Sequence, residues 1–174
     1  FQDAANKSIV NYSFYFGATN DNEGLIPHLD KQRICGIKLF MGASTGNMLV
    51  DKMDSLKYIF KHAGMLIATH CEDQSIINSN IAAYKGKYDE DLPIHYHPLI
   101  RDERACYESS SLAVALAKET GARLHIMHIS TAKELELLED KPIGEKNITA
   151  EACVSHLFFS DKDYERLGAR IKCN

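Results

Sequence analysis

Three short apolar runs, each carrying a lysine or histidine among its apolar residues, constrain what this chain can fold into more than any other feature. The first, Gly36-Ile37-Lys38-Leu39-Phe40-Met41, opens into a Gly/Ser/Thr loop at 42–47. The others are Leu66-Ile67-Ala68-Thr69-His70 and Leu124-His125-Ile126-Met127-His128. Runs that are apolar throughout, rather than at alternate positions, fit strands of a parallel sheet covered on both faces. Helical patterns separate them. Residues 51–62 place Met53, Leu56, Ile59 and Phe60 on one face, with Asp51 or Asp54 as a cap, and 72–84 reads as a second helix. Residues 102–120 give the clearest pattern, with Ala105, Ser109, Leu112, Ala113 and Leu116 at helical spacing and Gly121 as a stop. Strand and helix alternate at least four times, which predicts an α/β fold.

Residues 9–17, rich in β-branched and aromatic side chains, read as a further strand. Residues 22–34 read as a weak helix containing Pro27, and 85–100 as a long polar excursion of the kind found beside sites. Thr131 and Glu134 form a capping-box pattern for a short helix to 139. Residues 148–154, 157–159 and 169–173 look strand-like, with a short helix at 160–167. The pattern alone leaves a doubly wound sheet and a (β/α)₈ barrel open. Lys38, His70 and His128, read as sitting at the C-terminal ends of successive strands, favour the barrel, which gathers its chemistry on that rim. A full barrel takes roughly 250 residues. With 174 residues and five or six strands, an incomplete (β/α)₈ barrel is expected.

The net charge of −4 and pI near 6.1 give no electrostatic reason to expect nucleic acid or an anionic membrane as partner. No apolar stretch approaches the roughly 20 residues of a membrane span. Five cysteines without a CxxC pair suggest reduced thiols and a cytoplasmic setting. The chain starts at Phe1 and stops on a strand-like run, so it reads as an interior excerpt of a longer protein.

Lys38 is the odd member of its run. Burying an ammonium among Ile37, Leu39 and Phe40 costs several kcal/mol unless it reaches solvent, loses its proton or is converted. A neutral amine can add carbon dioxide and become a carbamate, a two-oxygen anion able to bridge two metal ions about 3.5–4 Å apart. Either histidine alone could be a core histidine satisfied by hydrogen bonds; with Lys38 they form a candidate ligand set. His125 precedes His128 by an odd number, which on a strand puts it on the opposite face, so it reads as structural. His95 and His97 form an HxH pair in the long loop, where a surface role fits better than metal binding. The 42–46 loop lacks the Gly-Lys-Ser/Thr ending of a phosphate cradle. Glu72 and Asp73 could orient a ligating imidazole or simply occupy the first turn of a helix. Cys71, facing away from His70, and Cys153 read as packing rather than as nucleophiles. His156 is ambiguous, on the rim.

Five stretches then resemble dihydroorotase, a family of the amidohydrolase superfamily. They are the lysine run with Gly42; Ala68-Thr69-His70-Cys71-Glu72-Asp73; His125-Ile126-Met127-His128-Ile129-Ser130-Thr131; the stretch 149–157; and Lys172-Cys173-Asn174. The resemblance covers nearly the whole chain and implies barrel strands three to seven. It implies that Lys38 is the carboxylated bridging ligand, that His70 and His128 hold the second of two zinc ions, and that Asn174 contacts substrate. Arg101 and Glu108 fall in a stretch the family carries before its long helix, with no chemical role assigned. The family's first-strand HxH pair, its substrate-binding arginine and its eighth-strand aspartate, the proton shuttle, match nothing here. No catalytic acid or base is therefore expected in this chain, which alone should be inactive.

The implied activity is reversible conversion of dihydroorotate and N-carbamoylaspartate in pyrimidine synthesis. Dihydropyrimidinase/hydantoinase and allantoinase are the alternatives within the superfamily, and a metal-free assembly protein is a more distant one. The expected partners are a small-molecule substrate and further copies of the chain in a dimer or tetramer, without nucleic acid or membrane.

Overall fold

The computed structural model describes residues 1–42, 44, 46–88 and 92–173. A short helix α1 (Gln2–Lys7) precedes β1 (Tyr15–Gly17), and β2 (Gly36–Met41) leads to α2 (Met53–His62). β3 (Ile67–Cys71) is followed by α3 (Gln74–Tyr88), α4 (His97–Ile100) and α5 (Glu103–Thr120). Then come β4 (Leu124–Ile126), β5 (Ile148–Ala150), α6 (Val154–Phe158) and α7 (Tyr164–Leu167). The five strands pair in parallel in the order β1-β2-β3-β4-β5. A doubly wound sheet reverses its strand order at a switch point, whereas a barrel adds each strand beside the last. The observed order is that of an incomplete barrel.

Alternation along β2 separates two sides. Ile37, Leu39 and Met41 are buried and join Leu56, Ile59 and Phe60 of α2 and Ala113, Val114, Leu116 and Ala117 of α5 in one apolar core. Each fully buried Leu or Ile there contributes about 1.5–3 kcal/mol. Lys38 and Phe40 point to the other side. Because paired residues of parallel strands share a face, the register Lys38–Ala68–His125–Thr149 and the pair Phe40–His70 put these side chains on that inner side together.

α5 follows expectation at both ends. Asp102 accepts from the Ala105 amide at 2.8 Å as N-cap, and Gly121 closes the helix at φ 72°, where a side chain would be strained. α2 differs: neither Asp51 nor Asp54 caps it, and Asp51 instead accepts from Asn20 Nδ2 at 2.9 Å. Asp73 caps α3 by accepting from the Ser75 and Ile76 amides.

Several expected elements are shorter or absent. Only Tyr15–Gly17 of the run 9–17 is strand; Ile9 is 98% exposed and has nothing to pack against. The expected helix at 22–34 is a 3-10 turn, Glu23–His28, containing Pro27. Residues 157–158 lie in α6, with Leu157 78% exposed, and the expected last strand is a 3-10 turn, Gly168–Ile171. The Thr131–Glu134 pattern opens another 3-10 turn, Lys133–Leu137. Buried Glu134 there accepts from the hydroxyls of Ser110 and Thr131 instead of capping a helix. Among the described residues no helix is long and apolar enough to cross a membrane.

Candidate metal centre

Lys38 lies inside β2 rather than at its C-terminal end, paired with Ala68 two residues before His70, and is on the inner side with its amine above the Phe40 ring at 4.3 Å from the centroid. Its Nζ is buried and, among the described residues, has no hydrogen-bond partner. Burial pushes its pKa down from the usual lysine value to about 8.

His70 is on β3, one strand over, and is 5% exposed. His128 lies two residues beyond β4, at φ 66°, the left-handed region that non-glycine residues seldom adopt. That turn overrides strand parity. His128 swings back so that its Nε2 lies 3.4 Å from His70 Nδ1. The pKa of His128 is lowered by burial, then by the neighbouring His70 and further by Lys38, which favours a neutral imidazole.

His125 therefore does not sit on the opposite side, as counting residues along an extended strand implies. Its register with Ala68 and Lys38 places it on the inner side, with Nδ1 2.9 Å from Thr149 Oγ1 and Nε2 3.3 Å from Glu151 Oε2.

Glu72, 4% exposed, takes the orienting position that its sequence left open against a helix-start role; Asp73 supplies the helix cap. Glu72 Oε2 accepts from His70 Nε2 at 2.8 Å, and Glu72 Oε1 from Arg101 Nε at 2.7 Å, with a second contact from Arg101 Nη2. Burial works to raise the Glu72 pKa, but hydrogen bonds from Arg101 and His70 hold it at about 2. The pairing with Arg101 is what sequence reasoning missed. Only the His70–Glu72 half of the arrangement has a local signal, a two-residue spacing that places both on one side of an extended chain.

The HxH pair is divided by the structure. His95 is exposed and stacks on Tyr96, while His97 starts α4 as a half-buried residue, its Nδ1 3.0 Å from the Tyr164 hydroxyl. His97 is thus no surface-loop residue. With Glu72, Arg101 and His156 it lines a cavity of about 510 Å³. Cys71 is buried, and burial pushes its thiol up to about 11, as expected for packing. Cys153 is half-buried ahead of α6. Glu108 is exposed on α5. Asn174 lies outside the described residues.

The geometry suits a metal ion. Zinc–nitrogen bonds of about 2.0–2.1 Å at a tetrahedral angle separate two ligating nitrogens by about 3.3–3.4 Å. The His70–His128 separation of 3.4 Å matches that edge, with a buried, unpartnered lysine amine on the same side. Among the described residues, no group of three or more His, Cys, Asp or Glu side chains is placed to hold a metal, so these two imidazoles and Lys38 make up a partial set.

No family model matches the chain. It is 27% identical to an allantoinase of Deinococcus radiodurans over 183 aligned residues, covering 99% of this chain and 40% of that protein. It is 28% identical to a dihydroorotase of Methanosphaera stadtmanae over 172 residues, covering 98% of this chain and 38% of that protein. The solved L-hydantoinase (dihydropyrimidinase) of Arthrobacter aurescens superposes with a TM-score of 0.81 at 25% identity, over 94% of this chain and 37% of that one. The chain spans about two fifths of the length of the curated relatives it matches. With parallel strands in barrel order, this chain has homologues along almost its whole length among the dihydroorotases, allantoinases and hydantoinases of the amidohydrolase superfamily.

Proposed function

We propose that the protein carrying this chain is a zinc-dependent cyclic amide hydrolase that interconverts dihydroorotate and N-carbamoylaspartate in pyrimidine synthesis. The observation carrying the reading is the approach of His70 Nδ1 to His128 Nε2 at the edge length of a zinc site. Residues 1–174 form part of the catalytic barrel, and the protein acts as a cytoplasmic dimer or tetramer on a small molecule. The dihydroorotase named among its relatives supports the substrate class.

In this reading the buried Lys38 amine would add to carbon dioxide, forming one N–C bond and releasing one proton, and the resulting carbamate would join His70 and His128 in holding zinc. His70 and His128 would offer Nδ1 and Nε2 to the second zinc ion. Zinc bound there lowers the pKa of a water toward about 7, so that water can act at neutral pH. The reaction adds water across a ring C–N bond and yields an open-chain acid. This chain's residues fix where that happens: Phe40 covers the flank of Lys38, and Glu72 holds the His70 ring. Asn174 contacts the substrate.

Replacing Lys38 with alanine in the complete protein abolishes loading of two metals in this account. Full zinc content and undiminished turnover in that variant would refute it. Allantoinase and dihydropyrimidinase or hydantoinase activity are the second reading, favoured by the names of several relatives and structural neighbours. Side-by-side assay of dihydroorotate, dihydrouracil and allantoin separates them. Metal analysis of the intact protein separates all three from a metal-free assembly protein.

A further inference from the structure

We infer that Arg101 is a positioning residue: acting through Glu72, it sets the tautomer and orientation of His70, and with them the nitrogen that His70 presents to a metal. The inference rests on the metal reading above for its consequence, but its geometry stands apart from it.

His70 has two ring nitrogens and two different neighbours. Nε2 faces Glu72 Oε2 at 2.8 Å, and Nδ1 faces His128 Nε2 at 3.4 Å. An ionised carboxylate can only accept, so Nε2 carries a proton, and in the neutral ring the lone pair is then on Nδ1, facing His128. This holds only while Glu72 stays in place, and besides His70 itself the group that supports its buried charge is Arg101. It is 4% exposed, and Arg101 grips both of its oxygens with Nε and Nη2. A guanidinium fork constrains a carboxylate's direction as well as its charge, which a lysine ammonium does not.

Arg101 also has a fixed base. It is the residue before Asp102, whose side chain caps α5, and its amide donates to the His97 carbonyl at 3.0 Å. The end of β3 and the start of the longest helix are thereby linked across 29 residues by the Arg101–Glu72 contact. A group that orients a ligating imidazole changes metal affinity by about 10–100-fold when removed.

The test uses the complete protein with Arg101→Met and Arg101→Lys. The His70 tautomer in the metal-free protein is read from imidazole ¹⁵N shifts, and zinc affinity from competition with a chromophoric chelator. The wild type is expected to hold His70 with its proton on Nε2. Arg101→Met gives a mixture of tautomers and zinc binding about 10–100-fold weaker, and Arg101→Lys recovers part of both. An unchanged tautomer in a folded Arg101→Met protein overturns the inference, as does unaltered zinc affinity where His70→Ala lowers it. Failure of the metal reading looks different: the wild type takes up no zinc, while the tautomer still responds to Arg101 and supports the positioning role.

Discussion

Gly42 and Glu72 meet backbone to backbone: a Cβ placed on Gly42 would sit 1.9 Å from the Glu72 carbonyl oxygen and within 2.8 Å of its amide nitrogen. The glycine that follows β2 is therefore required by the chain that follows β3, and the contact brings the loop after Lys38 against the residue that orients His70. Gly42→Ala has no flexible side chain to push aside. We expect it to destabilise the protein by about 3 kcal/mol, the upper part of the range for overpacking, and to loosen the His70–Glu72 pair. Chemical denaturation of the variant checks the stability, and an imidazole ¹⁵N spectrum checks the pair.

The left-handed backbone at His128 separates a fold effect from a ligand effect. Asparagine tolerates this conformation and a β-branched residue does not. His128→Asn should keep near wild-type stability and His128→Val should lose about 1–2 kcal/mol more. Both should lose zinc. Thermal melts of the two metal-free variants provide the comparison, and equal stabilities would mean that the turn is not held in this conformation.

Asp73 makes the stability of α3 depend on pH. Burial works to raise its pKa, but hydrogen bonds from the Ser75 hydroxyl and the Ile76 and Ser75 amides lower it below the usual aspartate value. A carboxyl whose folded pKa lies below its unfolded one contributes stability that is present above the unfolded value, near pH 4, and is lost as pH falls through the folded one. Asp73→Ala should cost about 1 kcal/mol at pH 7, as removal of an N-cap does. The difference from wild type should shrink below pH 4, which parallel denaturation curves at pH 7 and pH 3 measure.

Cysteine reactivity follows burial. Cys106 is on the buried face of α5 at 6% exposure, and burial, together with the nearby Glu134 and Glu72, pushes its thiol up to about 12; burial takes that of Cys71 to about 11. Both should resist iodoacetamide at pH 8 in the folded protein and react once it is unfolded in guanidinium, as peptide mass mapping shows. Cys35, which is exposed, is the internal control. Fast labelling of Cys71 in the folded state would contradict its place at the end of β3 in the core shared with α2 and α5.

What was legible in the sequence is what burial wrote into it. β2, β3 and β4 read as apolar runs because one side of the sheet is buried in the core and the other is largely covered, and α5 shows helical periodicity because one of its faces packs on that core; Lys38, His70 and His128 are visible as exceptions within or just after the strand runs. The run at 9–14 has the same residue types but lies exposed, so its composition misleads. The segments at 157–159 and 169–173 fail in the same way, being apolar without a sheet neighbour to pair with. The side occupied by His125 was read wrongly because a parity count assumes extended backbone up to His128, and one positive φ breaks the count. Arg101 was readable only as part of a family stretch. Its partner Glu72 is 29 residues away, and nothing in local spacing encodes that contact.

The most direct measurement is anomalous diffraction at the zinc edge from crystals of the complete protein grown with zinc. The account predicts a peak about 2.0–2.1 Å from both His70 Nδ1 and His128 Nε2, with trigonal density continuing from Lys38 Nζ toward it. Zinc bound only elsewhere, with His70 and His128 facing each other across an empty gap and Lys38 ending in a bare amine, would contradict it.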